Sequence, residues 1–304
     1  MKFAIMITTR NRCADLCRTC AALATLSPAP DEVLICADGC TDATVPMLLG
    51  EFPGFVVLEN AERLGSIPSR DRMLRHASAD IVISLDDDSY PIHPDFLARL
   101  RKALNAHPEA AVISFQVRDD EGGDRAAASR EDHSGRYVAA YANCGAAMRR
   151  EVYLQLAGFP SFFRHGYEEP DYALQCYAAG RPVWFEPDLV VRHHLSSVNR
   201  HMGRRQRLHA RNELWSVLIR CPWPYLPVVA LFRVWRQLRY AASQGLTDVL
   251  LQPAWWLSAL AGLPQCIAGR SPIPWPTYWA WMKLARHPIR RRGDLVLASA
   301  GAGR

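Results

Sequence analysis

Ile81-Val82-Ile83-Ser84-Leu85-Asp86-Asp87-Asp88-Ser89-Tyr90 decides how the chain is read. Four of its first five residues are apolar and three are β-branched, in a run too short for a helix. That pattern predicts a buried strand of a parallel sheet. Three carboxylates follow without a spacer, and Pro91 and Pro94 keep the strand from continuing. Side chains alternate along a strand, so Asp86 and Asp88 should point one way and Asp87 the other. Like charges at this spacing repel, and a hard divalent cation such as Mg²⁺ or Mn²⁺ relieves the repulsion. Open α/β sheets bind ligands beyond the carboxyl ends of their strands. The stretch is therefore expected to be an Asp-x-Asp metal clamp. A solvated acidic turn is the plainer alternative, and the buried strand before it argues against that.

Working outward, strand and helix signals alternate. Strands are predicted over Phe3–Thr8, Val33–Cys36 and Phe55–Leu58, and helices over Ala14–Leu26 and Ser66–His76. Between them, Ala37-Asp38-Gly39-Cys40-Thr41-Asp42 reads as a turn with a helix N-cap at Thr41 or Asp42. After the Asp-rich strand come a helix over Asp95–His107 and a strand over Ala111–Val117. Asp119–Gly135 reads as a mobile loop, either a lid or an insertion. Sheet character returns over Ala139–Met148. Helices over Arg150–Leu156 and Glu168–Ala179 follow, then two short strands, Val183–Phe185 and Leu189–Val191, before His193-His194. Such alternation predicts an α/β fold with a doubly wound, mostly parallel sheet flanked by helices.

The 304 residues carry 49% apolar and 22% charged side chains, the composition of a globular protein. The net charge of +6 conceals an asymmetry. From Arg200 onward there are 16 Lys/Arg, 3 Asp/Glu and eight of the nine Trp; the part before it is net acidic. A body over 1–200 and a helical, basic and aromatic region over 201–304 are expected. Arg10 and Arg12 interrupt the first apolar run too early for an export signal. Nine Cys, an odd number without scaffold spacing, are expected as reduced thiols in the cytoplasm. Val249–Gly269 lacks charge, but Gln252, Pro253, Pro264 and Gln265 interrupt it. Amphipathic helices lying in the headgroup layer are expected in place of a membrane span.

Several segments, in order over roughly the first 215 residues, resemble the family-two inverting glycosyltransferases of the GT-A fold. Ile7-Thr8-Thr9-Arg10-Asn11-Arg12 is similar to their opening strand and nucleotide loop, and the Asp38 turn to their Asp-Asp-Gly-Ser-x-Asp turn. Gly65 to Arg70 resembles the Gly-x-x-x-x-Arg helix start, and Leu85-Asp86-Asp87-Asp88 the metal motif. Asn143-Cys144-Gly145-Ala146-Ala147-Met148-Arg149-Arg150 resembles the acceptor-side strand. Gly158-Phe159, then Gly166-Tyr167-Glu168-Glu169-Pro170-Asp171, resemble the segment holding the catalytic base.

The resemblance implies a nucleotide-diphosphate sugar as donor and Mg²⁺ or Mn²⁺ held by Asp88, with Asp86 beside it or on the ribose. It implies donor contacts from Thr8, Arg10, Asp38, Arg70, Asp86 and Asp87. His193 would touch the metal or the diphosphate, a core histidine being the alternative. An inverting transfer needs one carboxylate to take the acceptor's proton. Glu169 matches the family's base, with Glu168 and Asp171 as alternatives. The sequence departs from the family at Ala37, Asp71, Gln175 and Glu169 itself, where Asp, Asn, Arg and Asp are usual.

Arg211-Asn212 in an amphipathic helix resembles members that build cell-surface polysaccharide. Together with Arg204, Arg205, Arg207, Arg220 and Arg290-Arg291-Arg292, it implies a lipid-linked saccharide acceptor at the anionic inner face of the membrane. No zinc-finger or RNA-recognition spacing supports nucleic acid as the partner of these charges.

Two other readings compete. Cys13-x3-Cys17-x2-Cys20 has the spacing of the iron–sulfur motif of radical S-adenosylmethionine enzymes, which needs three thiolates converging in a loop. On a predicted helix the same spacing places three small residues on one face. A non-catalytic, membrane-recruited module that kept the fold is the other.

Overall fold

The computed structural model describes residues 1–119, 134–194, 202–295 and 297. The loop expected over Asp119–Gly135 falls almost wholly outside the described residues, and so does the expected boundary at 200/201.

One sheet organises the body. Its strands are β1 (Phe3–Thr9), β2 (Glu32–Asp38), β3 (Val56–Asn60), β4 (Ile81–Asp86), β5 (Ser89–Pro91), β6 (Val112–Arg118), β7 (Arg136–Tyr137), β8 (Ala146–Arg149) and β9 (Val183–His193). The order is β3-β2-β1-β4-β8-β6-β9-β5, with β7 paired to β9. β3, β2, β1 and β4 run parallel. The chain leaves β1 toward β2 on one side and returns at β4 on the other. The carboxyl ends of β1 and β4 therefore sit at a topological switch point, where a crevice forms. Thr8 is in register with Asp86 there.

Helices α1 (Cys13–Leu23), α2 (Thr44–Glu51), α3 (Ser66–His76), α4 (Phe96–Ala106), α5 (Arg150–Gln155) and α6 (Glu168–Ala178) cover both faces. Strand alternation explains why there are two cores. Phe3, Ile5 and Ile7 meet Leu16, Cys20, Leu48 and Leu100 on one face. Ala4, Met6, Leu34 and Val82 meet Met73, Leu74, Tyr153 and Tyr172 on the other. A strand covered on both faces must be apolar throughout, which is the pattern that gave β4 away.

The α/β architecture with helices flanking a central sheet is as expected, and details of the strands differ. β8 runs antiparallel between β4 and β6, and β5 and β7 run antiparallel to β9. Sheet character over Ala139–Met148 reduces to Ala146–Arg149. The two short strands before His193 are one strand, with a register shift opposite Phe115/Gln116. The irregularity breaks the alternation that a pattern reading relies on.

Beyond the body lie α7 (Met202–Arg220), α8 (Leu226–Gln244), α9 (Leu246–Leu250), α10 (Gln252–Ala261), α11 (Leu263–Ala268) and α12 (Trp275–Leu284). Pro222 and Pro224 separate α7 from α8, and Pro227 is accommodated in the first turn of α8. The uncharged stretch over 249–269 breaks into the end of α9, α10 and α11, and no helix of the described residues is long and apolar enough to cross a membrane. These helices share a core with the sheet: Trp215, Val217, Cys221, Tyr278 and Trp281 join the cluster that contains α3 and α6. Of the eight tail tryptophans, Trp215, Trp255 and Trp281 are buried, while Trp223, Trp235, Trp256 and Trp279 are exposed. The first three serve packing and are not surface anchors.

Candidate active site

β4 ends at Asp86, and a turn carries Asp87 and Asp88 to β5. The backbone fixes this turn tightly: Ser89 Oγ accepts from the Asp86 N–H at 2.8 Å, and the His194 N–H donates to the Asp88 carbonyl at 2.8 Å. Asp87 parts from its neighbours. Its oxygens accept from Thr9 Oγ1 at 2.9 Å and from Arg12 Nη1 at 2.8 Å. Its carboxyl is raised to about 7, by burial first and by Asp88 and Asp86, against the pull of Arg12. Asp87, expected among the donor contacts, thus ties the turn to the β1 loop. Arg12 also reaches Asp88 Oδ2 at 3.3 Å, a role the sequence reading left unassigned.

Asp86 and Asp88 converge on His193, at the end of β9. His193 Nε2 lies 2.9 Å from Asp88 Oδ1 and 3.8 Å from Asp86 Oδ2. Both ring nitrogens of His193 are buried, in an orientation that makes no hydrogen bond. Two donors drawn this close without a hydrogen bond are placed as ligands of one cation would be. Cys144, just before β8, adds a thiol: one ligand atom each of Asp86, Cys144 and His193 lie within 4.8 Å of one another. It is the only such group among the described residues, so Cys13, Cys17 and Cys20 form no cluster site. They lie on α1, with Cys20 in the core and Cys17 donating to Glu51. Carboxylate and imidazole donors fit a divalent ion such as Mn²⁺, and the thiol adds a softer neighbour.

On the other side of Asp86 stands Arg70, 4% exposed. Its Nη2 donates to Asp86 Oδ1, and its Nη1 lies 3.8 Å from Glu168 Oε1. Burial lowers the Arg70 pKa, and Asp86, Glu168 and Glu169 more than offset it, leaving it raised. One guanidinium thus spans the two groups of acids. Glu168 and Glu169 open α6 after Tyr167, whose φ of 71° turns the chain. Asn143, unassigned by sequence, binds both: its Nδ2 donates to Glu168 Oε1 at 3.0 Å and its N–H to Glu169 Oε1 at 3.4 Å. Burial, then the neighbouring Glu168 charge, pushes the Glu169 carboxyl up to about 8.

Asp171 is occupied differently. It is fully buried and accepts from Ser216 Oγ at 2.7 Å, from Gln175 Nε2 at 2.8 Å and from Arg220 Nε and Nη2 at 3.2 and 3.1 Å. Its lone pairs are used, so it ties α6 to α7 and is not placed to take a proton. Gln175 stands where an arginine was expected, and the guanidinium comes from Arg220 on α7. Arg211 and Arg220 consequently point inward, a correction to their expected place on a lipid-facing surface.

Asp38 ends β2 and accepts from Asn60 Nδ2 at 2.9 Å, the Leu64 N–H at 2.8 Å and the Gly65 N–H at 2.9 Å. It shapes the loop into α3, and these three bonds use all but one Oδ2 lone pair. Thr8 is half-buried at the end of β1, and Arg10 follows it with Nε buried and unbonded. Gly65 has φ 113°, and a Cβ there would lie 2.4 Å from the Arg164 carbonyl oxygen. Only glycine lets α3 begin against the 161–166 segment. His165, another residue not foreseen, sits on that segment with Nδ1 3.0 Å from Ser66 Oγ.

The family model described as "Glycosyl transferase family 2" matches residues 4–167, more than half of the chain. The uncharacterized glycosyltransferase YwdF of Bacillus subtilis (strain 168) is 27% identical over 187 residues, 58% of this chain and 68% of that protein. Among solved structures, GalNAc-T7 with UDP, GalNAc and Mn²⁺ has a TM-score of 0.62 and 15% identity over 79% of this chain. The chain spans about half, 51%, of that structure's length. The mannosyltransferase PcManGT of Pyrobaculum calidifontis, in complex with GDP-Man and Mn²⁺, has a TM-score of 0.57 and 20% identity over 94% of this chain and 86% of its own. TarS of S. aureus in complex with UDP-GlcNAc has a TM-score of 0.61 and 15% identity over 94% and 88%. The structural likeness identifies the fold as GT-A, and with the sequence match the chain belongs to glycosyl transferase family 2.

Proposed function

We propose that the protein moves a sugar, with inversion, from a nucleoside-diphosphate sugar to an acceptor hydroxyl. The observation that carries this reading is Arg70, whose guanidinium joins Asp86 to Glu168. It puts the acids at the end of β4 and the acids at the start of α6 around one crevice. Structural relatives bound to UDP, UDP-GlcNAc or GDP-Man, two of them with Mn²⁺, support the donor and cofactor classes.

In this reading Asp86, Asp88 and His193 hold Mn²⁺ or Mg²⁺. When bound, the ion neutralises the charge that builds on the departing diphosphate. Arg70 and Arg10 stand by to donate to the phosphates or ribose. Glu169 takes the proton from the acceptor hydroxyl as its oxygen attacks the anomeric carbon. The bond from that carbon to the phosphate oxygen breaks, and a single displacement inverts the centre. Glu168, held by Asn143 and Arg70, keeps Glu169 hard to ionise until substrate arrives.

The acceptor is proposed to be a lipid-linked saccharide used in cell-surface polysaccharide, met at the inner, anionic face of the membrane. Helix α8 supports this: Val228, Leu231, Phe232 and Trp235 form an exposed stripe at helical spacing, while Arg233 and Arg236 turn inward to Glu213. An apolar face turned outward on an amphipathic helix suits a headgroup layer. A transfer assay over a panel of nucleotide sugars, with product anomers assigned by NMR, tests the reading. Inverted product formed only with Mn²⁺ or Mg²⁺ is expected; retained configuration, or hydrolysis and transfer both absent across the panel, overturns it.

A further inference from the structure

A groove of about 480 Å³ opens where the tail helices meet the 161–166 segment. Leu64, Phe162, Arg164, Arg211, Trp215 and Gln265 are among its lining residues. Its shape depends on Gly262, because a Cβ there would lie 2.1 Å from Trp215 Cζ2. Without that side chain, the turn between α10 and α11 rests directly on the indole.

Two like charges, Arg164 and Arg211, face this groove. Among the described residues no ion pair joins Arg164 or Arg211 to a carboxylate. The buried acids of these helices are engaged elsewhere, Asp171 with Arg220 and Glu213 with Arg233 and Arg236. Arg211 is fixed in place: it donates to Ser258 Oγ at 3.1 Å and the Phe163 carbonyl at 3.0 Å, and lies 4.0 Å over the Trp215 ring. Burial and the Arg164 charge pull its guanidinium down to about 10. An anion in the groove offsets both effects.

The groove is also tied to the acid pair. Arg164 and Glu168 are four positions apart, a span of at most about 14 Å. That segment is held by Asn212, whose Nδ2 donates to the carbonyls of Phe163, His165 and Gly166 at 3.2, 2.9 and 2.7 Å. On the outer faces of α10 and α11, Leu257, Leu260 and Ile267 are exposed at 68%, 60% and 73%.

We propose that this groove takes the phosphate that joins the acceptor saccharide to its carrier, with Arg164 and Arg211 supplying the charge. The inference rests on the transferase reading above and names the acceptor's chemistry. The full chain is first screened by thermal shift for a nucleoside diphosphate that binds with Mn²⁺. With the donor pocket saturated by it, glucose 1-phosphate, citronellyl phosphate and neutral citronellol are titrated calorimetrically. At least one phosphate should bind and citronellol should not. Arg164→Gln should weaken that binding tenfold or more, and Arg164→Lys should recover most of it, with both variants melting near the parent. Tighter binding of citronellyl phosphate identifies a lipid carrier, and tighter binding of glucose 1-phosphate a soluble phosphosugar. If neither phosphate binds beside intact nucleotide binding, or Arg164→Gln binds as the parent does, the groove proposal is wrong. If no nucleotide shifts the melting point, the transferase reading itself fails.

Discussion

Glu169 is where charge, burial and chemistry meet. Its carboxyl sits near 8 because burial and Glu168 both disfavour the anion. A base must be deprotonated to act, so kcat/KM should rise with pH through about 8 and level off above it. Stability should run the opposite way. A carboxyl whose pKa is raised on folding contributes stability that is complete below its unfolded value and lost as pH rises through the folded one. Thermal melts of the parent should therefore fall between mildly acidic pH and pH 8, and Glu169→Gln should flatten that slope. The same substitution should cut transfer by about 10²–10⁴-fold. A Gln variant with near-parental turnover would move the base role to Glu168. For the cation, Asp88→Asn and His193→Ala should each weaken Mn²⁺ binding followed by electron paramagnetic resonance, with or without nucleotide. Unchanged binding in both would remove them as ligands. The spacing of the three acids made Asp86 and Asp88 legible as a pair. Arg12, Asn143 and Cys144 were not legible in the same way, because each gains its role by contact with a residue at least 25 positions away in sequence or, for Cys144, by the pairing of β8 with β4.

At the scale of elements, the junction of α6 with α7 governs the position of Glu169, the proposed base. Asp171 sits one turn below the acid pair and is clasped by Arg220, Ser216 and Gln175. Removing one partner of such a buried pair leaves the other charge uncompensated, at a cost of about 3–5 kcal/mol. Asp171→Ala should thus lower the melting temperature sharply, whereas Glu169→Gln should not. A variant with parental stability and no transfer would instead return Asp171 to the list of bases. The β4 and α3 boundaries followed from sequence because each is a local signal: an apolar run closed by acids, and a glycine before a helix. The antiparallel β8 and the shift in β9 did not, because strand direction and register are settled by neighbours in the sheet.

For the whole molecule, the question is what the tail helices face. Some of the expected anchors turn out to be internal: Arg211 and Arg220 bond within the protein, and Trp215, Trp255 and Trp281 lie in its core, while Arg233 and Arg236 pair with Glu213. What points outward is the α8 stripe together with Trp223 and Arg204, Arg205 and Arg291. Purified protein should co-sediment with anionic vesicles, less so as salt is raised, since each basic residue near the surface adds about 1 kcal/mol. Leu231→Ser with Trp235→Ser should abolish the association without changing nucleotide binding. Equal sedimentation with neutral and anionic vesicles would count against the electrostatic part of the reading.

The sequence by itself determined the strand–helix alternation, the acids that close β4, the acids that open α6 and the basic, aromatic character of the last third, because each is written in adjacent residues. Only the tertiary structure decided which of those charges face one another. Arg70 lies between Asp86 and Glu168, Arg220 reaches Asp171, and Asp87 turns away to Thr9 and Arg12. Pairings of this kind are set when distant segments are buried together and every buried charge must find a partner, a condition no local pattern expresses.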